Sequence, residues 1–472
     1  MKTLLKYVIV FLSIFILLAF ARSAHWVYGL FKRVNFDEIA IVLSSGTAAG
    51  SDPWLFWSFM NDVVFLALGI AVGLTFVCYV FRNRKYVMPC IYVLCIGLLG
   101  YELCVSNVQF GSFINFQKSN FYESEYVDAK DVNISWSKKR NVLFIALESM
   151  ERAYSNPSVD WGDGLLLTPE IGMLEQSHAS FLNYHSVAGL THTIAAITGF
   201  TTGLPLFHTR FRKIEKMLGV SDGLGTIMSN NGYQTWSMFP ASGSFSLKSN
   251  FMKCMGFNNV IDGPQIYAEL ENPPTERPFG GIDDGTFFDW AKPKIVDIIK
   301  SEKPYFIFME TINTHLEGYF TDYCRNLGFP QETMADITRC DDRIIGDFVR
   351  WFRTVDPDAV VILVNDHNQT AGDLMKTLQH IPNRPLANVF INTHIFDGAN
   401  MNRPVSALDF FPTVLEAAGA VIDGCRLGLG VSLATRCQDV KTLRERYDDI
   451  ELGQKLEQKN DLYFYLNTGT RR

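Results

Sequence analysis

The chain has 472 residues, too many for one ordinary domain, and a mean hydropathy slightly above zero, which indicates membrane segments. Its formal net charge of −7 argues against a nucleic-acid partner, which would require a basic surface. Aromatic residues make up 13% of the chain, a content that suits lipid-facing helices and a large α/β core equally well.

Three apolar stretches precede residue 110, and together they predict a transmembrane region of about three helices over residues 1–105. A spanning helix needs about 20 predominantly apolar residues, which the second and third stretches provide. The first is shorter and also fits a cleaved signal peptide, since Lys2 and Lys6 precede it and Ala19-Phe20-Ala21 resembles a cleavage site. We favour an uncleaved anchor because further spans follow at once. The stretches are Tyr7 to Ala21, Leu55 to Phe81 and Tyr86 to Val105.

Basic residues predict the orientation of these helices. Arg82, Arg84 and Lys85 lie in the short connection between the second and third stretches, which the positive-inside rule places in the cytoplasm. The third helix then runs outward, and everything after about residue 106 lies outside the cytoplasm. Cleavage of the first segment would not change this prediction.

Five of the nine cysteines fall in the predicted exported part, where disulfides can form. Because five is odd, at least one is left without a partner among them. The local pairs Cys324 with Cys340 and Cys425 with Cys437 are the first to consider, with Cys254 left over. The alternative that all five are reduced and buried stays open.

The region from Arg140 to about residue 440 has the pattern of an α/β domain. Short apolar runs alternate with amphipathic segments such as Met334 to Phe352, which predicts a central, mostly parallel sheet flanked by helices. Residues 106–139 are polar and predict a linker or a helix on the membrane surface. Residues 441–472 predict a charged, peripheral C-terminal tail. Candidate strands are Asn141 to Leu147, Gln234 to Phe239, Tyr305 to Met309, Val360 to Val364 and Asn388 to Asn392.

Two of these apolar strands end directly in potential metal ligands. Glu148 follows the first strand, and Asp366-His367 closes the strand that begins near Val360. Ligands of α/β sheets collect at the carboxyl ends of the strands, so these side chains are predicted to bind a divalent cation. For Glu148 alone, a helix-capping carboxylate is the simpler interpretation, and Asp366-His367 alone could be a surface turn.

Thr193 is the candidate nucleophile. It stands at the head of an apolar helical segment, where free N–H groups and the helix dipole favour a phosphate group. A threonine hydroxyl becomes a nucleophile only when a metal or a base activates it. The set of carboxylates, imidazole and hydroxyl is therefore suited to cleaving a phosphate ester by covalent catalysis. Thr193 as an ordinary helix cap is compatible with this role, and Thr191 is the rival nucleophile.

Two further residues are candidate substrate contacts. His315 follows the strand Tyr305 to Met309 and could contact a phosphate or protonate a leaving oxygen, although a lone histidine is more often structural. Lys248 is predicted to lie in a loop after the strand at Gln234, where it could offer charge to a phosphate or head group. A single lysine is usually just solvated.

The order of these motifs resembles the membrane-anchored, alkaline-phosphatase/sulfatase-like transferases, a group that includes lipoteichoic acid synthase and the lipid A phosphoethanolamine transferases. The resemblance covers roughly Asn141 to Leu433 and is closest to the phosphoglycerol transferases. No C/S-x-P-x-R motif of sulfatases is present, so sulfate ester hydrolysis is not expected. The motifs are Ala146–Ser149, Leu167–Glu170, Thr191–Ala195, Gly203–Pro205, Asn313–His315, Cys340–Arg343, Ile345–Phe348, Asn365–His367, Leu408–Pro412 and Arg426–Gly430.

The resemblance implies roles for the candidate residues. The metal ligands fall on Glu148, Thr193, Asp366 and His367, with Thr193 taking up the phosphoryl group and His315 binding substrate. Lys248 lies near a position where lipoteichoic acid synthase has an arginine, and that synthase has five spans where this chain has three. The expected cofactor is one divalent ion, Mn²⁺, Mg²⁺ or Zn²⁺.

The resemblance further implies an inner-membrane phosphoglycerol transferase whose catalytic domain is periplasmic or extracellular. It would move phosphoglycerol from phosphatidylglycerol to a glycan or lipopolysaccharide acceptor through a covalent threonine intermediate. One alternative is a phosphoethanolamine transferase acting on lipid A or a glycan. Another, of a different class, is an inactive sulfatase-like scaffold or sensor in envelope assembly.

Overall fold

A computed structural model of the chain divides it into two units, Met1–Ile114 and Asn115–Arg472. Each unit is described by itself. The structure describes residues 2–31, 57, 59–105, 119–207, 222–315, 318–330, 332–370, 372–458 and 460–468.

In the described part of the N-terminal unit, three helices are long and apolar enough to cross a membrane, as the sequence predicts. Helix α1 packs against both others through buried residues such as Ile14, Ala71 and Cys95. Much of the remaining apolar surface is exposed, with Leu94 70% accessible, as expected of helices that face lipid. The helices are α1 (Lys2–Phe31), α2 (Leu66–Val80, preceded by a π-helical segment, Met60–Phe65) and α3 (Val87–Val105).

The second unit is built on a six-stranded sheet, which confirms the predicted central, mostly parallel sheet. The strand order is β5-β4-β6-β2-β7-β8, and only the edge strand β8 runs antiparallel. Strands β2, β6 and β7 are buried on both faces, which explains their nearly continuous apolar sequences. The strands are β2 (Val142–Leu147), β4 (Gln234–Met238), β5 (Asn259–Ile261), β6 (Tyr305–Glu310), β7 (Val360–Asn365) and β8 (Asn388–Ile391).

Helices cover the sheet, and the longest, α12, has the predicted amphipathic pattern. Its Ile345, Phe348 and Phe352 are buried in the core with Leu143 and Val361 of the sheet. The helices of this unit are α4 (Phe121–Glu125), α5 (Pro169–Ser177), α6 (Thr193–Thr202), α7 (Leu224–Asn230), α8 (Lys248–Cys254), α9 (Gly263–Glu269), α10 (Asp284–Lys300), α11 (Asp322–Asn326), α12 (Met334–Val355), α13 (Met375–Leu378), α14 (Ala407–Ala417), α15 (Leu443–Arg446), α16 (Asp449–Glu457) and α17 (Asp461–Thr468).

Small two-stranded sheets complete the unit. Part of the predicted linker, Ile134–Trp136, is strand β1 and pairs with β10, while residues 106–118 of that linker lie outside the described residues. The other short strands are β3 (Asn183–Tyr184), β9 (Pro404–Val405), β10 (Ala420–Ile422), β11 (Arg426–Leu427) and β12 (Gly430–Val431).

The C-terminal segment, predicted as a peripheral charged tail, is instead packed into the second unit. Leu452 and Tyr463 are fully buried. The Tyr463 hydroxyl donates to the Pro205 carbonyl at 2.9 Å and accepts from the Phe207 N–H at 3.0 Å. The segment is rich in charged residues, but Leu452 and Leu456 of α16 and Tyr463 and Leu466 of α17 are buried, whereas Ile450 is exposed.

Both local cysteine pairs form disulfides, as predicted. Cys324 of α11 is bonded to Cys340 of α12, and Cys425 is bonded to Cys437, each with Cα atoms 5.7 Å apart. The fifth cysteine of this unit, Cys254, is free and exposed. The first bond ties the short helix α11 to α12, and the second joins the 3₁₀ segments Asp423–Cys425 and Thr435–Cys437.

Candidate active site and metal centre

The candidate metal ligands meet because β2 and β7 are adjacent parallel strands. Leu147 at the end of β2 lies opposite Asn365 at the end of β7, so Glu148 and Asp366 leave the sheet side by side. Ligand atoms of Glu148, Asp366 and His367 all lie within 4.8 Å of one another. Both carboxylates are 1% exposed. Three of the four predicted ligands are therefore brought together at the carboxyl edge of the sheet.

Backbone N–H groups donate hydrogen bonds to one carboxylate oxygen of Asp366 and not to the other. Its Oδ1 accepts from the Ser149 N–H at 3.0 Å and from the His367 N–H at 2.7 Å. Ser149 adopts a positive φ of 53°, a conformation of the kind found where a fold constrains a functional site. Within the described residues, Asp366 Oδ2 is buried and accepts no hydrogen bond, at 3.4 Å from His367 Nε2. An orphaned buried carboxylate oxygen between two other ligands fits a cation.

The pKa values of the two carboxylates also indicate a cation site. Burial, together with the charge of Glu148, raises the pKa of Asp366 to about 7. Burial also acts to raise the pKa of Glu148, but the neighbouring His367 and His315 and hydrogen bonds to its carboxylate lower it on balance. Two buried carboxylates this close resist joint ionisation unless a cation compensates them. Carboxylate and imidazole ligands suit Zn²⁺ or Mn²⁺.

Thr193 contacts this cluster directly. It is the first residue of α6, and its Oγ1 donates to Glu148 Oε2 at 3.1 Å and lies 3.3 Å from His367 Nε2. Helix α6 starts here, so the positive end of its dipole lies at the hydroxyl. The hydroxyl thus sits among metal ligands at a position that favours a phosphate group.

The loop after β6 closes the site from the other side. Thr311 Oγ1 accepts from the Glu148 N–H at 2.9 Å, and Thr314 Oγ1 donates to the Glu148 carbonyl at 2.6 Å. The ring of His315 packs edge-on against Phe279 with centroids 4.4 Å apart. Because its charge helps to lower the pKa of Glu148, His315 belongs to the same electrostatic environment.

Lys248 differs from its predicted setting. It is the first residue of helix α8 rather than a loop residue, and its side chain is 3% exposed. Its ammonium forms an ion pair with the buried carboxylate of Glu310. Buried cations need such partners, and the Glu310 carboxylate meets this need for Lys248. Contact of Lys248 with a phosphate or head group stays a prediction.

Glu310 is the residue that the sequence interpretation missed. It ends β6, so the three neighbouring strands β6, β2 and β7 all lead into acids at one edge. Burial raises the pKa of Glu310, which the charge of Lys248 partly offsets, while the charges of Glu148 and His367 also act on it. The available signal was its place directly after the predicted strand Tyr305 to Met309.

Comparison with known proteins identifies the fold. A sulfatase family model matches residues 140–420, more than half of the chain. The chain is 27% identical over 252 residues to phosphoglycerol transferase I of Escherichia coli O6:K15:H31 and to the protein of the same name from Salmonella choleraesuis, covering 49% of this chain and 32% of each relative. The chain therefore spans about a third of the length of the curated relatives it matches.

A solved structure supports the same fold. A protein in the alkaline phosphatase superfamily from Vibrio parahaemolyticus superposes with a TM-score of 0.52 at 18% identity, over 66% of this chain and 78% of that one. At this identity the likeness concerns the fold alone. The predicted resemblance to alkaline-phosphatase/sulfatase-like proteins is confirmed by these comparisons.

Proposed function

Because this chain belongs to the sulfatase family, we propose that it is a membrane-anchored phosphotransferase that moves phosphoglycerol from phosphatidylglycerol to a glycan acceptor. The relatives named phosphoglycerol transferase I support the choice of head group. The observation that carries the proposal is the placement of the Thr193 hydroxyl, 3.1 Å from Glu148 Oε2 and 3.3 Å from His367 Nε2 at a helix N-terminus.

In the first step, Thr193 Oγ1 attacks the phosphorus of the donor lipid. The Oγ1–phosphorus bond forms, the bond between phosphorus and the diacylglycerol oxygen breaks, and the hydroxyl proton passes toward Glu148 Oε2, which already accepts its hydrogen bond. His315 protonates the leaving oxygen. Glu148, Asp366, His367 and Thr193 would hold a divalent cation, which would supply Lewis-acid chemistry that lowers the pKa of a hydroxyl and offsets phosphate charge.

In the second step, a sugar hydroxyl displaces Thr193. The neutral His315 takes the proton of the sugar hydroxyl, the new oxygen–phosphorus bond forms, and Thr193 recovers its own proton. The N-terminus of α6 binds the phosphate oxygens in both steps, since the positive end of the helix dipole favours anions there. Lys248 and Glu310 hold a fixed charge pair beside the site, in which Lys248 is the candidate contact for the donor head group.

The proposed location follows from the charged connection between α2 and α3. By the positive-inside rule, we infer from Arg82, Arg84 and Lys85 that this connection lies in the cytoplasm and the catalytic unit on the other side of the inner membrane. A lipid donor has to be met at the membrane surface, so a membrane anchor suits the reaction.

The deciding experiment is mass spectrometry of the purified full chain after incubation with phosphatidylglycerol or, separately, phosphatidylethanolamine. We expect a phosphoglycerol adduct on the peptide containing Thr193, and the added mass identifies the head group. An adduct from phosphatidylethanolamine alone would assign a phosphoethanolamine transferase instead.

Matched variants locate the nucleophile. Thr193→Ala should form no adduct and lose turnover by orders of magnitude, since no hydroxyl remains to accept the phosphoryl group. Thr193→Ser keeps a hydroxyl and should keep some activity, and Thr191→Ala serves as the control two residues away. An adduct on Thr191, or near-parental turnover by Thr193→Ala, would place the nucleophile elsewhere.

A further inference from the structure

A cavity of about 400 Å³ is lined partly by residues that follow Glu148 in the chain, and the chemistry described above does not use it. One wall is the short 3₁₀ helix Arg152–Ser155, which follows Glu148 in the chain. A second wall is α5, and the third is the segment 381–385 that leads into β8. Cavities of this size are in the lower part of the range that binds small molecules, about 300–1,000 Å³.

The topology of the sheet places the cavity at the same edge as the catalytic residues. Strand β8 is antiparallel to β7, with Asn388 opposite Val364, so the segment before β8 lies at the end of β7 that leads to Asp366. The contacts agree, because Asn368 Nδ2 donates to the Arg384 carbonyl at 3.0 Å. The cavity wall is thus hydrogen-bonded to the residue that follows His367.

A buried ion pair joins the two walls. Arg384 Nε donates to Glu151 Oε2 at 2.8 Å, and Glu151 Oε1 accepts from the Gln369 N–H at 2.9 Å. Glu151 is 1% exposed and directly precedes Arg152 of the first wall. The cavity walls are therefore connected, through Glu151 and Arg384, to the segment that follows His367.

The polar groups that line the cavity are mostly neutral. The side-chain amides of Gln176 and Asn383 form no hydrogen bond with the protein in the described part of the chain, and both residues are exposed. The charge of Arg152 is matched by Glu175, with Nη1 and Oε1 at 3.0 Å. An anion would meet this carboxylate together with the guanidinium, so the cavity offers no net positive charge to a phosphate or lipid head group.

Amides and hydroxyls that donate and accept are complementary to sugar hydroxyls. Ser155 and Asn156 also line the cavity. The Ser155 hydroxyl donates to the Arg152 carbonyl at 3.1 Å and can still accept, and Asn156 Oδ1 accepts from the Ser158 N–H at 3.0 Å while its amide group can still donate. Between them lies apolar surface that can meet the C–H faces of a sugar ring, in keeping with the mixture of apolar walls and a few polar groups seen in ligand sites. The apolar lining residues are Ala153, Ile381, Pro382 and Pro385.

We propose that this cavity is an acceptor subsite that holds one sugar residue of an uncharged glycan while a neighbouring part of the same glycan reacts at Thr193. The inference rests on the proposed function and names the substrate class of its second step. A glycan is longer than the cavity, so a subsite beside the reacting hydroxyl positions the chain without contacting phosphorus.

The test uses the full chain in detergent and the variants Gln176→Ala and Asn383→Gly. Glycine is chosen at 383 because Asn383 has a φ of 53°, which glycine adopts without strain. Both positions are exposed, so the core stays intact. Gln379→Ala is the matched control, since Gln379 is an exposed amide just after α13 that does not line the cavity.

Two readouts separate the two steps. The first is the Thr193 adduct formed with phosphatidylglycerol alone, and the second is transfer to pentasaccharides of glucose, galactose or N-acetylglucosamine. For the sugar that is used, we expect each variant to raise KM about 3- to 10-fold with kcat near the parental value, because one hydrogen bond is lost. Adduct formation should match the parent, and the control should match it in both readouts.

The two failures are distinguishable. If the parent forms no adduct with the lipid, the proposed function is wrong. If the adduct forms and a pentasaccharide is used, but both variants keep the parental KM, the acceptor subsite is wrong. Inhibition of adduct formation by inorganic phosphate that both variants relieve would assign the cavity to an anion and likewise overturn the inference.

Discussion

Replacing Asp366 with asparagine should have opposite effects on stability with and without metal. The substitution keeps Oδ1, which accepts the Ser149 and His367 N–H groups, and removes the charge beside Glu148. Asp366→Ala is a poorer test, because it would also leave those two N–H groups without an acceptor, at about 1–3 kcal/mol each.

The pKa of Asp366 gives the size of the effect in the metal-free protein. Burial and Glu148 raise this pKa from 3.8 to about 7. Each pKa unit corresponds to about 1.4 kcal/mol, so ionised Asp366 costs the metal-free fold roughly 4 kcal/mol above pH 7. The folded state holds its proton to higher pH than the unfolded chain does. Stability is therefore lost as pH rises from about 4 to about 7 and then levels off.

The assay is thermal unfolding of the full chain in detergent, in EDTA or in Mn²⁺, from pH 5 to pH 8. In EDTA at pH 8, we expect Asp366→Asn to unfold at a higher temperature than the parent, by up to about 8 °C at roughly 2 °C per kcal/mol. At pH 5 the difference should shrink. In Mn²⁺ the parent should gain stability through binding, whereas the variant should gain little.

Two outcomes would refute this reasoning. One is a variant that unfolds below the parent in EDTA at pH 8, which would mean that the carboxylate is not under electrostatic stress. The other is an Mn²⁺-induced stabilisation of the variant equal to that of the parent, which would remove Asp366 from the ligand set.

Three further predictions concern the buried ion pair, a disulfide and the membrane topology. Lys248→Met or Glu310→Gln alone should destabilise the fold by about 3–5 kcal/mol, since each leaves a buried group without its partner, and the double variant should recover much of this in denaturant titrations. Cys340→Ser should lower the free energy of unfolding by about 2–4 kcal/mol through loss of the bond to Cys324, and equal stability of reduced and oxidised parent would contradict this. A reporter fused after residue 120 should be active only if it functions outside the cytoplasm, and a reporter active only inside would reverse the proposed topology.

Local patterns in the sequence are enough to predict the strands, the membrane helices and the candidate metal ligands at the strand ends. Continuous apolar runs identify buried strands, and 20-residue apolar stretches identify membrane helices, because each pattern reports the surroundings of a single segment. Glu148 and Asp366-His367 were recognisable because an acid directly after a buried strand is already near the edge where ligands bind.

Only the tertiary structure decided which strand ends lie next to one another. The order β6-β2-β7 puts Glu310 beside Glu148, and it places Lys248 of a distant helix against Glu310. The same holds for the cavity, whose walls come from residues 152–176 and 381–385. Strand order and helix docking depend on pairings between segments far apart in the chain, and no local periodicity records them. A residue's sequence neighbours therefore predict its element, whereas its partner follows only from how the elements pack.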